Sequence, residues 1–588
     1  MENLNHIKLG NFDTIAIITY LVILLIIGFY FRKYSQKGVE NYFLAGRKLP
    51  GWVNGISAAA TAMNADVAPT YCGMTVISGL FIYWFYISRF GLALMVAAVL
   101  FALFWRKLKI FTAPEFYELR FSGKIASTLR GWIAFRSAFI SIVAWTGAGL
   151  LGLHKILNPT LGWSLTMTFS IVIPVVLIYV FMSGYIGVVF SDVLQAAIVF
   201  ISYLILAILV IKDFGGPSGL YDALVSTHGT DVVRWFPPLN HESLGLVSII
   251  AWTLGTAIGY GGDVAPMGAA MEGQRILSCK NGKEASKLYI WALFTIILML
   301  TILTMPALGA MVKWPGLYTG EINKEKAFGL LISHYMPPGI LWLAIAGLAA
   351  SIMSTIDSNL NFGSQTVVYD LYRRFFVKGK DEKHYLKVGK AVIFLIIGLS
   401  MLVAVKAKNV IDIAIFMLGI SSAELSANWA QWWWWRFNSK ARITASFGGP
   451  IIFILVKFVI FTSLSPYWHV FISIAITTIL WVLVALVTAP EKEEVLIKFY
   501  QEAKPLGFWK PIADKAGNIP QNTGLILQGF GLAFLGMLPI SLASISIAHC
   551  YIGKGKISYI LLFFIILLLI FFKNCYRKYI DKLETRIN

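Results

Sequence analysis

The residues of this sequence best able to do chemistry lie inside apolar runs. In ILWLAIAGLAASIMSTIDSNLNFGSQTVVYDLYRRF (Ile340 to Phe375), Ser351, Ser354, Thr355 and Ser358 recur at spacings of three, four and seven and so share one helical face. Asp357 flanks that face, making an oxygen-rich surface without thiol or imidazole. Such a donor set suits a hard cation such as sodium, not zinc or copper. A single hydroxyl in a membrane helix more often bonds back to its own backbone, so it is the four together that carry the reading. Asp192, early in YIGVVFSDVLQAAIVFISYLILAILV (Tyr185 to Val210), is a carboxylate that needs a cation, either a bound ion or an intramembrane base such as Arg136. Position alone leaves ion coordination and structural pairing open. Asp412 and Glu424 are equally ambiguous, and Trp432 to Trp435 reads as an interfacial anchor.

Two further segments gather glycine, proline and carboxylate where a membrane helix should be uninterrupted. In WVNGISAAATAMNADVAPTYCG (Trp52 to Gly73) these are Asn64, Asp66 and Pro69; in AWTLGTAIGYGGDVAPMGAAMEG (Ala251 to Gly273) they are Gly259, Tyr260, Gly261, Gly262, Asp263 and Pro266. Close packing through Gly255 and Gly259 explains the glycines but not Asp66 and Asp263. Two helices broken near mid-membrane, five spans apart, would expose carbonyls and helix ends able to hold cations and substrate groups, as in a five-helix unit repeated with inverted topology.

The elements that must position these residues are membrane helices. Of 588 residues, 58% are hydrophobic and 13% charged, against about a quarter charged in soluble proteins. Apolar runs of about twenty residues recur from Phe12 to Phe572, giving about fifteen spans. The first run lacks the flanks of a cleavable signal and is expected to remain a helix. The charge of +20 falls in alternate loops, which argues against nucleic-acid binding and, by the positive-inside rule, puts the amino terminus outside and the carboxyl terminus in the cytoplasm. Cys72, Cys279, Cys550 and Cys575 form no disulfide or zinc spacing. No inter-span stretch exceeds about forty residues, leaving no room for a catalytic or nucleotide-binding domain, so an enzyme is not expected and coupling energy must come from ions.

With NYFLAGRKLPGW, FTAPEFYELRF, GYIGVVFSDVLQAAIV, EGQRILSCKNGKEASK and MSTIDSNLNFGSQTVVYDLYRRF in order, the chain resembles the sodium:solute symporter family across most of residues 10 to 440. The resemblance implies an all-α polytopic membrane protein with a LeuT-like core of five plus five inverted helices, one extra helix in front and about four behind. The corresponding regions are residues 1–50 (first helix and loop), 51–440 (transport core) and 441–588 (accessory helices). It implies a sodium site from the carbonyls of Ala60, Met63 and Ser351 with the hydroxyls of Ser354 and Thr355. A second sodium or proton site would use Asp192, Asp357 and Ser358. The positions that hold sugar in the sodium/galactose type fall on Val67, Gly262 and Tyr86, so sugar specificity does not transfer. Candidate solute-binding residues are Asn64, Asp66, Tyr86, Tyr260 and Asp263. Two carboxylates favour a hydroxyl-rich or cationic solute, with an anionic one open if Lys or Arg approaches from another helix. The expected function is sodium-coupled import of a small polar organic solute across the cytoplasmic (inner) membrane, with the bilayer and the solute as partners and no obligate protein partner. A proton-coupled symporter and a transport-fold solute sensor are the alternatives.

Overall fold

A computed structural model describes residues 10–587 apart from 36–37, 240, 242–243, 265–271 and 518–522. Among the described residues, twelve helices are long and apolar enough to cross a membrane. The remaining spans of the sequence count are interrupted or short: the pair Gly51–Ala62 and Val67–Ser78, Leu165–Ile178, and Leu246–Ala257. Bundle helices are numbered α1 (Asn11–Tyr34), α2 (Gly51–Ala62), α3 (Val67–Ser78), α4 (Leu80–Lys107), α5 (Gly123–Asn158), α6 (Leu165–Ile178), α7 (Gly184–Asp213), α8 (Leu246–Ala257) and α9 (Glu272–Ser278). They continue as α10 (Gly282–Lys313), α11 (Leu341–Phe376), α12 (Glu382–Lys406), α13 (Val410–Trp433), α14 (Ser439–Ile460), α15 (Trp468–Val487), α16 (Gly524–Tyr551) and α17 (Gly555–Arg586). Outer helices such as α1 and α17 expose rows of large apolar side chains, Ile26, Phe29, Phe563 and Leu567 among them, a surface suited to lipid and not to water.

The first break follows from local chemistry. Helix α2 ends at Ala62, Met63 leaves helical geometry (φ −88°, ψ 47°), and α3 restarts behind Asp66. Pro69 falls in the first turn of α3, where a missing N–H costs no helical bond, so it restarts a helix and does not kink one. In the second break, Gly259 and Gly261 take left-handed backbone (φ +77° and +79°) just beyond α8. A Cβ at Gly259 would lie 1.6 Å from the Leu425 carbonyl oxygen, so this turn is pressed against α13. Pro266 lies outside the described residues.

Close approach also fixes α2 from behind. A Cβ at Gly51 would fall 2.2 Å from the Glu284 carbonyl oxygen, and one at Gly55 2.6 Å from that of Leu288, so α2 lies backbone to backbone on α10. The leading helix α1 docks by a polar anchor. Asp13 accepts the N–H groups of Gly339 (2.9 Å) and Trp342 (3.0 Å), orphan donors at the start of α11, and so places negative charge at that helix's positive end. Further along, Phe31 stacks on Phe190 of α7 at 5.0 Å. Gly55→Val should destabilise the protein by about 1–3 kcal/mol through overpacking against α10; a detergent melting curve matching the unsubstituted protein would disprove that contact.

Candidate functional site

The break in α2–α3 lies between α5 and α11. Two glycines of α5 make room for it: a Cβ at Gly149 would lie 2.3 Å from the Asn64 amide oxygen, and one at Gly152 2.5 Å from the Asp66 Cα. Asn64 holds the turn, its Nδ2 donating to the Trp145 carbonyl (3.1 Å) and its Oδ1 accepting from the Ala65 N–H (2.8 Å).

On the other side stands the hydroxyl face of α11. Ser351 Oγ donates to the carbonyl of Met63, and Thr355 Oγ1 lies 2.9 Å from the Thr61 carbonyl and 3.2 Å from that of Ser351. Thr61 Oγ1 is 3.3 Å from Ser354 Oγ and 3.2 Å from Ser358 Oγ. Ala60, Met63, Ser351, Ser354 and Thr355 are all buried. Met63, Ser351, Ser354 and Thr355 thus meet at one contact, an array of neutral carbonyl and hydroxyl oxygens beside a freed helix end, while the Ala60 carbonyl accepts the Met63 N–H at 3.2 Å. Such an array of oxygens suits a hard cation such as sodium.

The second expected set is arranged differently. Asp192 is fully buried, and its cation is Arg275, not Arg136: Arg275 Nη2 lies 3.5 Å from Asp192 Oδ2, 2.6 Å from Thr61 Oγ1 and 3.0 Å from Ser358 Oγ. Ser57 Oγ donates to the same carboxylate oxygen at 2.5 Å. A basic residue that follows an apolar span reads as a loop residue, yet Arg275 is 2% exposed in the last turn of α9. Apolar Ile276 and Leu277 immediately after it, together with a carboxylate in want of a partner, were the available signals. Asp357 is also fully buried, and neither of its carboxyl oxygens has a hydrogen-bond partner among the described residues.

A cavity of about 200 Å³ joins the two breaks. Asn64, Asp66, Arg89, Trp145, Tyr260 and Glu272 line it, and Met63 and Thr355 carry its wall into the hydroxyl contact. Two sequence candidates lie away from it. Tyr86 is buried behind the cavity with its hydroxyl 3.3 Å from Thr301 Oγ1 and from Ser544 Oγ. Asp263 is turned into an ionic cluster: Tyr117 donates to it at 2.8 Å, Arg442 lies at 3.3 Å and Arg136 at 3.6 Å. Glu424 completes the cluster by pairing with Arg136 and, at 3.6 Å, with Arg442.

Tryptophans complete the second break. Trp105 Nε1 donates to the Gly261 carbonyl (2.7 Å), Gln431 Nε2 and Trp432 Nε1 to that of Gly262 (2.7 and 2.8 Å), and Trp429 Nε1 to that of Tyr260 (3.2 Å). Trp432 is therefore a buried donor to unwound backbone and not an interfacial anchor, because carbonyls freed within a bundle need partners that water does not supply.

A bundle with two broken helices facing one hydroxyl-bearing helix defines an ion-coupled solute carrier. The model of the sodium:solute symporter family matches residues 42–449, and the chain belongs to that family. It is 25% identical over 422 residues to a sodium/glucose cotransporter of Vibrio parahaemolyticus, covering 68% of this chain and 76% of that one. It is 27% identical over 399 residues to a sodium/sialic acid symporter of Proteus mirabilis (66% and 76%), and 24% identical over 445 residues to an osmoregulated proline transporter of Bacillus subtilis (73% and 85%). A solved sodium-coupled sialic acid symporter in a substrate-bound outward-open state superposes with a TM-score of 0.69 at 21% identity, over 82% of this chain and 99% of that one. The fold is the inverted five-plus-five arrangement, and the protein is a multi-pass membrane transporter.

Removing one member of the Asp263–Arg442–Glu424–Arg136 cluster leaves a buried charge uncompensated, at a cost of about 3–5 kcal/mol. Arg442→Gln should therefore lower the melting temperature far more than Lys440→Gln on the same helix, where the side chain is exposed; equal shifts for the two would count against the cluster.

Proposed function

We propose that this chain imports a small polar solute with sodium across the cytoplasmic membrane, its amino terminus outside and its carboxyl terminus in the cytoplasm. Residues 51–440 would form the transport core, residues 1–50 the leading helix and loop, and residues 441–588 accessory helices. The observation that carries the reading is the hydroxyl face of α11 bonded onto the freed end of α2, a contact that reaches the cavity joining both breaks through Met63 and Thr355. Sodium would be held there by Ala60, Met63, Ser351, Ser354 and Thr355.

The coupling follows from geometry. Sodium can bridge α2 and α11 only while they are in contact, and the solute can span both breaks only while the cavity is formed, so each ligand favours the conformation that suits the other. Each sodium ion moving down an inside-negative potential of about 100 mV gains about 2.3 kcal/mol from the field. Ser354→Ala with Thr355→Ala should raise the sodium concentration for half-maximal uptake by about tenfold or more, as charge-assisted ligands are lost. Uptake in proteoliposomes with unchanged sodium dependence would rule out this assignment.

A second reading concerns Asp192, Asp357 and Ser358. With Arg275 already beside Asp192 and Ser358, a second sodium ion would have to share the space with a guanidinium. Both oxygens of Asp357 are buried without a hydrogen-bond partner among the described residues, an arrangement that suits the protonated acid better than the carboxylate. We therefore favour a proton at Asp357. Asp357→Asn should abolish uptake driven by an inward pH gradient and leave the response to a sodium gradient in place; loss of the sodium response alone would assign the site to sodium.

A further inference from the structure

The central cavity holds two charged side chains of opposite sign that nothing else in the described structure pairs. Arg89 lines it from a π-helical turn of α4 (Ile87–Gly91), a widened turn of the kind that often marks functional positions. Among the described residues its guanidinium has one hydrogen-bond partner, the Tyr71 hydroxyl at 3.0 Å, lies over the Phe90 ring at 4.9 Å, and has no carboxylate within ion-pair distance. Asp66, at the start of α3, lines the same cavity, and its Oδ1 is buried without a hydrogen-bond partner. Two neighbouring groups on the cavity side are likewise unpartnered: Thr70 Oγ1, which can donate or accept, and Trp145 Nε1, which can only donate.

The other charges in the wall are already engaged. Both oxygens of Glu272 receive a phenol, one from Tyr260 and one from Tyr289 at 2.9 Å, and Arg275 is turned to Asp192. The cavity therefore offers the solute one cation and one anion. Arg89 and Asp66 act on each other across the cavity without touching; a neutral sugar or polyol would leave neither with a contacting counter-charge, a simple anion would meet Asp66, and a simple cation would meet Arg89, and each mismatch at a buried charge is costly. A molecule carrying both charges satisfies both. The volume of about 200 Å³ is below the range of about 300–1,000 Å³ typical of drug-sized ligands, so the molecule is small.

We propose that the solute is a small zwitterion of the amino-acid or betaine type, its carboxylate on Arg89 and its ammonium end towards Asp66. This rests on the symporter reading above and narrows it. Planar, bidentate recognition of a carboxylate is the task for which a guanidinium is better shaped than an ammonium.

The test is thermal stability of the purified full-length protein in sodium and in potassium, with the proteinogenic amino acids, glycine betaine, galactose, inositol, lactate and choline as probes. One or more zwitterions should raise the melting temperature in sodium alone. Arg89→Gln should then weaken that zwitterion by about tenfold or more, and Arg89→Lys by less. Asp66→Asn should weaken it too, while improving binding of the matching acid that lacks the amine. If galactose or inositol stabilises in sodium, and Arg89→Gln leaves that shift intact, the zwitterion assignment falls and the symporter reading stands. If solutes stabilise equally in sodium and potassium, the coupling reading falls instead. If no amino acid or betaine stabilises in either salt, the zwitterion proposal is overturned.

Discussion

The rest of this structure depends on the need to satisfy backbone groups that two helices give up inside the bilayer. An unbroken span bonds its own peptides; a broken one presents N–H and C=O groups to a medium that offers no water. At the first break the partners are hydroxyls of α11 and the amide of Asn64, together with space left by two glycines of α5. At the second they are indoles and an amide from α4 and α13. The choice of partner matters. An indole donates only, so it closes a carbonyl permanently, whereas a hydroxyl can turn and let the carbonyl face a cation. The break lined by serine and threonine is thus the exchangeable one, and the break lined by tryptophan is the fixed one.

The interior charges divide in the same way. Arg275 and Asp192 stand beside the hydroxyl contact, while Arg136, Arg442, Asp263 and Glu424 form a closed set that joins α5, α13 and α14 below the second break. The second set draws Arg442 of α14, just beyond the expected core boundary at residue 440, into the packing of the core. Arg89 and Asp66 belong to neither set, and that leaves them for a ligand.

How much of this could be read in the sequence depended on how local each signal was. The breaks were legible because glycine, proline and carboxylate cluster within a few residues of where the helices stop, and the stripe from Ser351 to Ser358 was legible because helical period alone defines it. Side-chain direction across a left-handed turn was not. Tyr260 and Asp263 are three residues apart, yet one faces the cavity and the other the ionic cluster, since Gly261 between them, at positive φ, breaks the period. The place of Arg275 was hidden for a related reason: a basic residue after a span resembles a loop residue until packing buries it. Trp432 was misread because a run of four tryptophans fits a lipid interface equally well.

The contact between Asp13 and the start of α11 spans 326 residues of sequence. Asp13 is synthesised long before Gly339 and Trp342, so its carboxylate lacks these two donors until they exist. Until then Asp13, close to the end of α1 and able to stay near water, has no reason to hold α1 in any fixed orientation. The anchor that Asp13 gives α1 therefore closes only once α11 has been made, and its closing reports that the helix bearing the hydroxyl face has arrived. In this way the assembly carries a check on the arrival of that helix, written as a single buried cap.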